Sequence, residues 1–275
     1  MKHRYALCNE LLEGRDHAEV CRIAAELGYQ GLEIAPFTLA PRITEVSSEK
    51  RKLLRGQAED HGLCIIGLHW LLAKTEGFHL NSEESAVRQR TAEYLGELAR
   101  CCRDMGGDLM VFGSPAQRRI PSGATRDQAK CWAADTFRRA ASVLSDCGVR
   151  LCLEPLSLTE TDFINSIDQA CELLKEIDHP SFCLHLDVKA MSTEKASVCE
   201  LIRHHGQEAG HFHANDVSGR GPGAGPTDFA PIFQALKESG YKGWISVEVF
   251  DHKPDPIAIA QDAITYMRRC SCDVS

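Results

Sequence analysis

The sequence predicts a single-domain α/β protein, a (β/α)₈ barrel of the TIM type that comprises residues 1–275. Its length of 275 residues is close to the roughly 250 residues typical of such a barrel. Short apolar runs alternate with amphipathic stretches along the whole chain, and no Pro- or Ser-rich linker divides them. Eight strand–helix units can be counted, which favours a closed barrel over an open, doubly wound sheet.

The predicted strands are mostly continuous apolar runs, as expected of parallel strands that are covered on both faces. They are Tyr5–Cys8, Gly31–Ala35, Leu63–Trp70, Asp108–Phe112, Arg150–Glu154, Phe182–Asp187, Gly210–Ala214 and Trp244–Val249. Glycines recur where a helix passes into the next strand, as in CGVRLCLE and SGYKGWISVE, and this soft repeat supports a barrel.

Four of the predicted helices have readable ends because capping residues flank them. They are His17–Leu27 between Asp16 and Gly28, Ser82–Met105 before Gly106, Thr125–Cys147 before Gly148, and Asp228–Ser239 before Gly240.

Composition and charge exclude several classes of partner. The hydrophobic fraction of 43% is ordinary for a folded globular protein. A net charge of −8 repels phosphate backbones and anionic lipid surfaces, so we expect neither a nucleic acid nor a membrane as partner. The first residues lack the apolar core of a signal peptide, and the apolar runs are too short to span a bilayer. We therefore expect a cytoplasmic protein.

The thirteen cysteines are predicted to be reduced thiols, as is usual in the cytoplasm. Cys8, Cys64, Cys152 and Cys183 lie within apolar runs, where a free cysteine behaves as a small buried hydrophobe. The near-neighbour pairs lack the spacing of a structural zinc site.

Residues of metal-binding type end the last four predicted strands. Glu154, Asp187, His213 and Glu248 fall at strand C-termini, which face the active site of such a barrel. Each alone has an ordinary interpretation, a carboxylate that caps the next helix or a structural histidine. Together they place three carboxylates in one cavity, which is unfavourable unless a cation neutralises them. Carboxylate and imidazole ligands suit one divalent ion, Mn²⁺, Co²⁺, Mg²⁺ or Zn²⁺.

The order and spacing of these four residues resemble the xylose-isomerase-like barrel superfamily. Successive members are 33, 26 and 35 residues apart, and the surrounding segments GYQGLEI, LCLEP, LHLD, HFHAND and GWISVEV also fit. Within that superfamily the chain is most similar to ketose 3-epimerases such as D-tagatose 3-epimerase.

The resemblance implies a role for each matching position. Glu154, Asp187, His213 and Glu248 would coordinate the metal ion, and Glu154 and Glu248 would also transfer protons on opposite faces of a sugar. Glu160, six residues after the first ligand, would contact substrate hydroxyls. Removal of a proton beside a carbonyl creates an enediolate whose negative charge a metal ion stabilises. The resemblance also suggests a homodimer or homotetramer.

Two positions depart from the pattern of the ketose 3-epimerases. Ala190 stands three residues after Asp187, where the family usually has a substrate-binding histidine. Gly219 stands where the family has an arginine, and we expect the adjacent Arg220 to bind substrate in its place. Lys189 is interpreted as an outward-facing structural lysine, with a polar role in the site as the alternative.

Other polar side chains are expected at or below the same mouth. His69 and Trp70 end the third strand and are candidate sugar contacts, with core packing as the alternative. His185 and His211 each precede a ligand by two residues, so we interpret them as interior histidines with satisfied hydrogen bonds. The glycine-rich segment 218–226 is either a loop that closes over a sugar or a cradle for a phosphate.

Two further polar segments follow predicted strands. Residues 117–119, Gln-Arg-Arg, are interpreted as a solvated charge pair, with an anion contact as the alternative. Asn9 and Glu10 follow the first strand and either line the mouth or remain peripheral.

The leading functional hypothesis is a metal-dependent sugar epimerase or aldose–ketose isomerase. The alternative enzyme is a dehydratase of the inosose-dehydratase kind, which would enolise the sugar and then expel a hydroxyl. A phosphodiesterase similar to endonuclease IV would need further histidine ligands, and Phe112-Gly113-Ser114 offers none after the fourth strand. A non-enzymatic sugar-binding barrel is the remaining alternative.

Overall fold

The computed structural model describes residues 3–272 and confirms the predicted fold. Eight parallel strands form a closed barrel in sequence order, with β1 hydrogen-bonded to both β2 and β8. The strands are β1 (Arg4–Cys8), β2 (Gly31–Ile34), β3 (Cys64–Leu68), β4 (Leu109–Phe112), β5 (Arg150–Leu153), β6 (Phe182–Asp187), β7 (Ala209–Ala214) and β8 (Trp244–Val247).

Helices follow the strands and form the outer layer of the barrel. They are α1 (His17–Leu27), α2 (Ser48–Asp60), α3 (Ser85–Asp104), α4 (Arg126–Cys147), α5 (Ile167–Ile177), the short α6 (Val188–Met191), α7 (Val198–His205), α8 (Ala230–Ser239) and α9 (Pro256–Cys272). Strand interiors are buried on both faces, as the continuous apolar runs indicated.

Most of the helix ends that were predicted from caps are confirmed. The Asp16 side chain accepts a hydrogen bond from the Ala18 backbone N–H at the start of α1, and Thr125 forms a capping box with Gln128 at the start of α4. Gly148 ends α4 in the left-handed conformation, with φ of 64°. The predicted start at Ser82 is wrong, because the Ser82 hydroxyl accepts from the Glu84 backbone N–H in a turn that precedes α3.

All thirteen cysteines are free thiols, as predicted. Most are buried, but the expectation that Cys64 packs in the core is wrong because Cys64 is exposed at the first position of β3. In residues 3–272 no helix is both long enough and apolar enough to cross a membrane.

Candidate metal centre

The barrel brings the four predicted metal ligands together at one end. Asp187 is the last residue of β6 and His213 lies near the end of β7, while Glu154 and Glu248 directly follow β5 and β8. Each side chain is buried, with residue exposures between 1% and 7%. The C-terminal mouth of the barrel therefore carries three buried carboxylates and one imidazole.

Direct contacts hold this cluster together. His213 Nδ1 lies 3.1 Å from Glu248 Oε2. The side-chain amide of Asn215 donates to Asp187 and to Glu248, so it bridges two of the carboxylates. The Ala190 backbone N–H donates to Asp187 Oδ1 at 2.7 Å. These bonds hold the carboxylates of Asp187 and Glu248 in place relative to each other.

The electrostatics of the cluster fit a bound cation. Burial, together with the nearby carboxylates of Glu248 and Asp187, raises the pKa of Glu154 well above its usual value. Burial and Glu248 raise the pKa of Asp187 to about 6. Burial alone would also raise the pKa of Glu248, but the imidazole of His213 holds it below its usual value. Three ionised carboxylates are thus unfavourable here, and a divalent cation removes that penalty.

The interior histidine His185 gives a second indication that this cluster can bind a cation. One ligand atom each from Glu154, His185, Asp187 and His213 lies within 4.8 Å of the others. Within residues 3–272 neither ring nitrogen of the fully buried His185 has a hydrogen-bond partner. The prediction that this histidine is satisfied by its neighbours is therefore wrong. Its imidazole, the imidazole of His213 and the carboxylates of Glu154 and Asp187 form a donor set of the kind that divalent ions prefer.

Glu33 in β2 is a central residue that the sequence analysis did not single out. It is fully buried, and its carboxylate oxygens lie 2.7 Å from His211 Nε2 and 3.2 Å from His213 Nε2. Burial alone would raise the pKa of Glu33, yet these two imidazoles hold it well below its usual value. The signal was present in the strand sequence GLEI, where a carboxylate interrupts a run that is buried on both faces.

Two further residues from the early strands contact the cluster or its supports. His69 Nε2 lies 2.7 Å from Glu10 Oε2, and both residues are buried. The Trp70 indole N–H donates to Glu248 Oε1 at 2.9 Å. Trp70 adopts a left-handed backbone conformation with φ of 53°, which is rare for a bulky residue and is typical of functional sites.

The predicted solvated charge pair in residues 117–119 is wrong for Arg118. Its guanidinium is fully buried and donates to the backbone carbonyls of Glu154 and Ile164, at 2.6 and 3.1 Å. Burial lowers the pKa of Arg118 to about 10. Arg118 thus anchors the backbone of a predicted metal ligand, which explains why it turns inward from the loop after β4.

Gly113 leaves the space that the Glu154 carboxylate occupies. A Cβ atom at this position would lie 2.2 Å from Glu154 Oε2, closer than real Cβ contacts. Glycine suits this position after β4 because the Glu154 carboxylate approaches its backbone closely, and not because the backbone conformation demands it.

Lys189 faces the site, so its interpretation as an outward-facing structural lysine is wrong. Its ammonium lies 3.0 Å from Glu160 Oε1 and 4.8 Å from the centre of the Phe250 ring. The other oxygen of Glu160 accepts from the Ser157 hydroxyl and backbone N–H, at 2.6 and 3.1 Å. Burial alone would raise the pKa of Glu160, but these donors lower it.

An inner pocket opens above the cluster, and its lining includes most of the predicted site residues. Among them are His69, Trp70, Glu154, Glu160, His213 and Glu248. Arg220 is exposed and lies 3.7 Å from Asp251, and it is not among the described residues that line this pocket. Its role in substrate binding stays a prediction.

The glycine-rich segment 218–226 forms an ordered loop beside the pocket wall. Asp216 accepts hydrogen bonds from Ser218 and from the Thr227 backbone N–H, so its carboxylate ties the two ends of the loop together. The Gly219 carbonyl accepts from the backbone N–H of Phe250, which connects the loop to the segment after β8.

A closed (β/α)₈ barrel with buried carboxylates and histidines at its C-terminal mouth defines a class of metal-binding enzymes. Residues 21–270 match the model of the xylose isomerase-like TIM barrel family, and the chain belongs to that family.

Among curated proteins, the chain is 27% identical to the D-psicose 3-epimerase of Ruminiclostridium cellulolyticum over 256 residues, which cover 91% of this chain and 84% of that protein. It is 26% identical to the 3-dehydro-D-guloside 4-epimerase of Escherichia coli, over 92% of this chain and 94% of that protein. A crystal structure of a D-psicose 3-epimerase in the presence of D-fructose superposes with a TM-score of 0.86 at 20% identity, covering 98% of this chain and 99% of the other.

These relatives are epimerases, so the chain is an enzyme of the isomerase class, as predicted. The relationship also supports a sugar as its substrate and disfavours the dehydratase alternative.

Proposed function

We propose that this protein is a ketose epimerase that depends on one divalent metal ion. The observation that carries the proposal is the convergence of Glu154, Asp187, His213 and Glu248 at the mouth of the barrel, beneath a pocket lined by polar and aromatic side chains. These four side chains would hold the ion, which we expect to be Mn²⁺, Co²⁺, Mg²⁺ or Zn²⁺.

When bound, the ion would supply positive charge to stabilise the enediolate that forms when the proton on the carbon beside the carbonyl is removed. The proton steps belong to the protein. Glu154 and Glu248 follow strands on different sides of the mouth and both line the inner pocket. One carboxylate takes the proton from the carbon beside the carbonyl, and the other returns a proton to the opposite face, which inverts that carbon.

Other pocket residues would orient the sugar and the two glutamates. The Trp70 indole N–H holds one oxygen of Glu248, and the Asn215 amide contacts the other. Glu160 and His69 line the same pocket and present polar atoms to sugar hydroxyls. With Ala190 in place of the family histidine, the ammonium of Lys189, which is paired with Glu160, would itself supply a polar contact to the sugar on that side.

The proposal is tested by incubating the metal-loaded protein with ketohexoses in D₂O and following the products by NMR. Epimerisation by two glutamates places solvent deuterium at the inverted carbon. The position of the deuterium also distinguishes C3 from C4, the carbon named for the E. coli relative. Products without deuterium at any sugar carbon would contradict the two-glutamate mechanism, and loss of water would indicate a dehydratase.

A further inference from the structure

A second, larger cavity adjoins the inner pocket. This outer cavity is lined by Phe37 and Ala116, and it shares the wall Trp70, Ser114, Pro115 and Phe250 with the inner pocket. Its volume is about 390 Å³, whereas the inner pocket encloses about 40 Å³. The outer cavity alone thus reaches the roughly 300–1,000 Å³ that is typical of complete small-molecule sites.

The volumes of the two cavities limit which part of a substrate each can hold. The inner pocket admits only the reacting end of a sugar, and the remainder must extend into the outer cavity. The remaining carbons of a monosaccharide would fill only a part of that space, whereas a second sugar ring would fill it.

The walls of the outer cavity suit the face of a sugar ring. Phe37 and Trp70 pack edge to face with ring centres 6.4 Å apart, and Phe250 lies 6.2 Å from Trp70 on the other side. Phe250 remains 40% exposed, so part of its side chain is accessible to a ligand.

Polar groups at the edge and floor suit the hydroxyls of such a ring. Lys74 pairs with Glu13 at 2.7 Å and lies over the Phe37 ring at 3.9 Å. Glu10 lines the cavity and is 95% buried. One of its oxygens binds His69, while the other has no hydrogen-bond partner within residues 3–272. A substrate hydroxyl is the kind of donor that this oxygen lacks.

The wall between the two cavities is held in place relative to Glu248, the proposed proton-transferring residue. Trp70 and Ser114 both belong to this wall and both have positive φ, 53° and 43°, in the left-handed region that non-glycine residues rarely adopt. The Trp70 indole is hydrogen-bonded to Glu248, and the Ser114 hydroxyl accepts from the Leu72 backbone N–H. Such conformations persist where surrounding contacts enforce them, commonly at binding sites.

We propose that the outer cavity is a subsite for a second sugar ring, so that the preferred substrate is a glycosylated ketose and not a free monosaccharide. The inference rests on the proposed function, because it assumes that the carbonyl end of the ketose enters the inner pocket. The glycosyl group stays attached throughout, and only the configuration of the reacting carbon changes.

Binding is measured first with unreactive sugar alcohols, so that the result does not depend on turnover. Calorimetry on the metal-loaded protein compares 6-O-α-D-glucosyl-D-sorbitol with D-sorbitol. We expect the glucosylated alcohol to bind at least about tenfold more tightly. In Ala116→Trp the new indole would occupy the outer cavity, and the ratio of the two affinities should fall to about one. Ala258→Trp, on an exposed position of α9 that lines neither cavity, is the matched control and should keep the ratio.

Equal affinities in the unmodified protein would overturn the subsite. So would a ratio that is unchanged in Ala116→Trp, provided that thermal unfolding shows this variant to be folded.

A turnover experiment separates this inference from the proposed function. Isomaltulose, a 6-O-glucosylated fructose, and D-fructose are compared for deuterium exchange in D₂O. A binding preference without exchange in either ketose supports the subsite and refutes the epimerase. Exchange in both ketoses with no preference in binding supports the epimerase and refutes the subsite.

Discussion

The two halves of the barrel contribute different chemistry to the same mouth. Each strand from β5 to β8 ends in one predicted metal ligand. The strands β1 to β3 end in residues that contact those ligands or their supports: Glu33 contacts His213, Trp70 contacts Glu248, and Glu10 holds His69. One half thus presents the groups that we propose to bind the ion and transfer protons. The other half contributes contacts that orient them, in addition to those from Asn215 and Ala190 within the ligand half.

This difference has a physical origin in how buried polar atoms are satisfied. A metal ligand presents one atom to the ion, and its remaining polar atoms still need hydrogen-bond partners in the interior. His213 illustrates the arrangement, because Nδ1 lies toward Glu248 and Nε2 lies toward Glu33 across the barrel. A change in the ligand half should therefore abolish function, whereas a change in the supporting half should weaken it by degrees.

The largest effect is expected for Glu248→Gln in the ligand half. The amide keeps the shape of the side chain but cannot accept a proton, so turnover should fall by at least about 10²-fold. Binding of Mn²⁺, measured by calorimetry, should weaken as well, because a neutral amide replaces a charged ligand. Turnover within a few-fold of the original protein would show that Glu248 neither transfers a proton nor binds the ion.

The second effect tests the supporting half through Glu33→Gln. Loss of the buried carboxylate removes the charge that orients His213, and outer-shell changes of this kind typically lower metal affinity by about 10–100-fold. Calorimetric titration of the ion-free variant with Mn²⁺ measures this effect independently of turnover. Glu33→Asp, which retains the charge, should recover part of the affinity. If Glu33→Gln binds Mn²⁺ like the original protein, the distinction between the halves fails.

The sequence was sufficient to predict that the residues of the ligand half converge at one mouth, because they follow a regular rule. Each falls at the end of an apolar strand, and the ends of parallel strands in a barrel share one face. The supporting half was harder to predict since its key contacts join residues distant in the chain, such as Glu33 and His213, 180 positions apart. Arg118 was misassigned for a related reason: a basic residue in a polar loop is usually exposed, and only the fold reveals the carbonyls that it meets.

The third effect, intermediate in size, is expected for Gly113→Ala, which changes the packing around Glu154 and leaves the charge of that residue unchanged. Gly113→Ala places a methyl group where the Glu154 carboxylate lies, so that carboxylate must move. We expect turnover to fall about tenfold, since small displacements of positioned groups are costly to catalysis. Gly56→Ala in α2 has no atoms within 4 Å of the added methyl group and serves as the control. The control should keep its turnover and gain about 0.5–1 kcal/mol of stability. Unchanged turnover in Gly113→Ala would show that the mouth tolerates a displaced Glu154.

The smallest effect is expected for Lys189→Met, which tests whether every polar contact of the ligand half is essential. Lys189 and Glu160 form an ion pair whose side chains are each 25% exposed, so its loss should change the free energy of unfolding by less than about 1 kcal/mol. Glu160 keeps its two bonds from Ser157 and should remain in place. Loss of the ammonium should raise KM a few-fold and leave kcat nearly unchanged. This pattern is expected when the lost contact had stabilised the bound substrate and the transition state equally.

Lys130→Met is the matched control for that variant, because Lys130 is similarly exposed and pairs at 3.7 Å with Glu172, which lines neither cavity, whereas Lys189 pairs with Glu160 of the inner pocket. Both variants should show similar thermal unfolding, and only Lys189→Met should raise KM. A fall in kcat as large as that of Glu248→Gln would place Lys189 among the groups that act on the reacting carbon. The ligand half would then extend beyond the four strand ends, to the first turn after β6, where the Ala190 backbone N–H already contacts the Asp187 carboxylate.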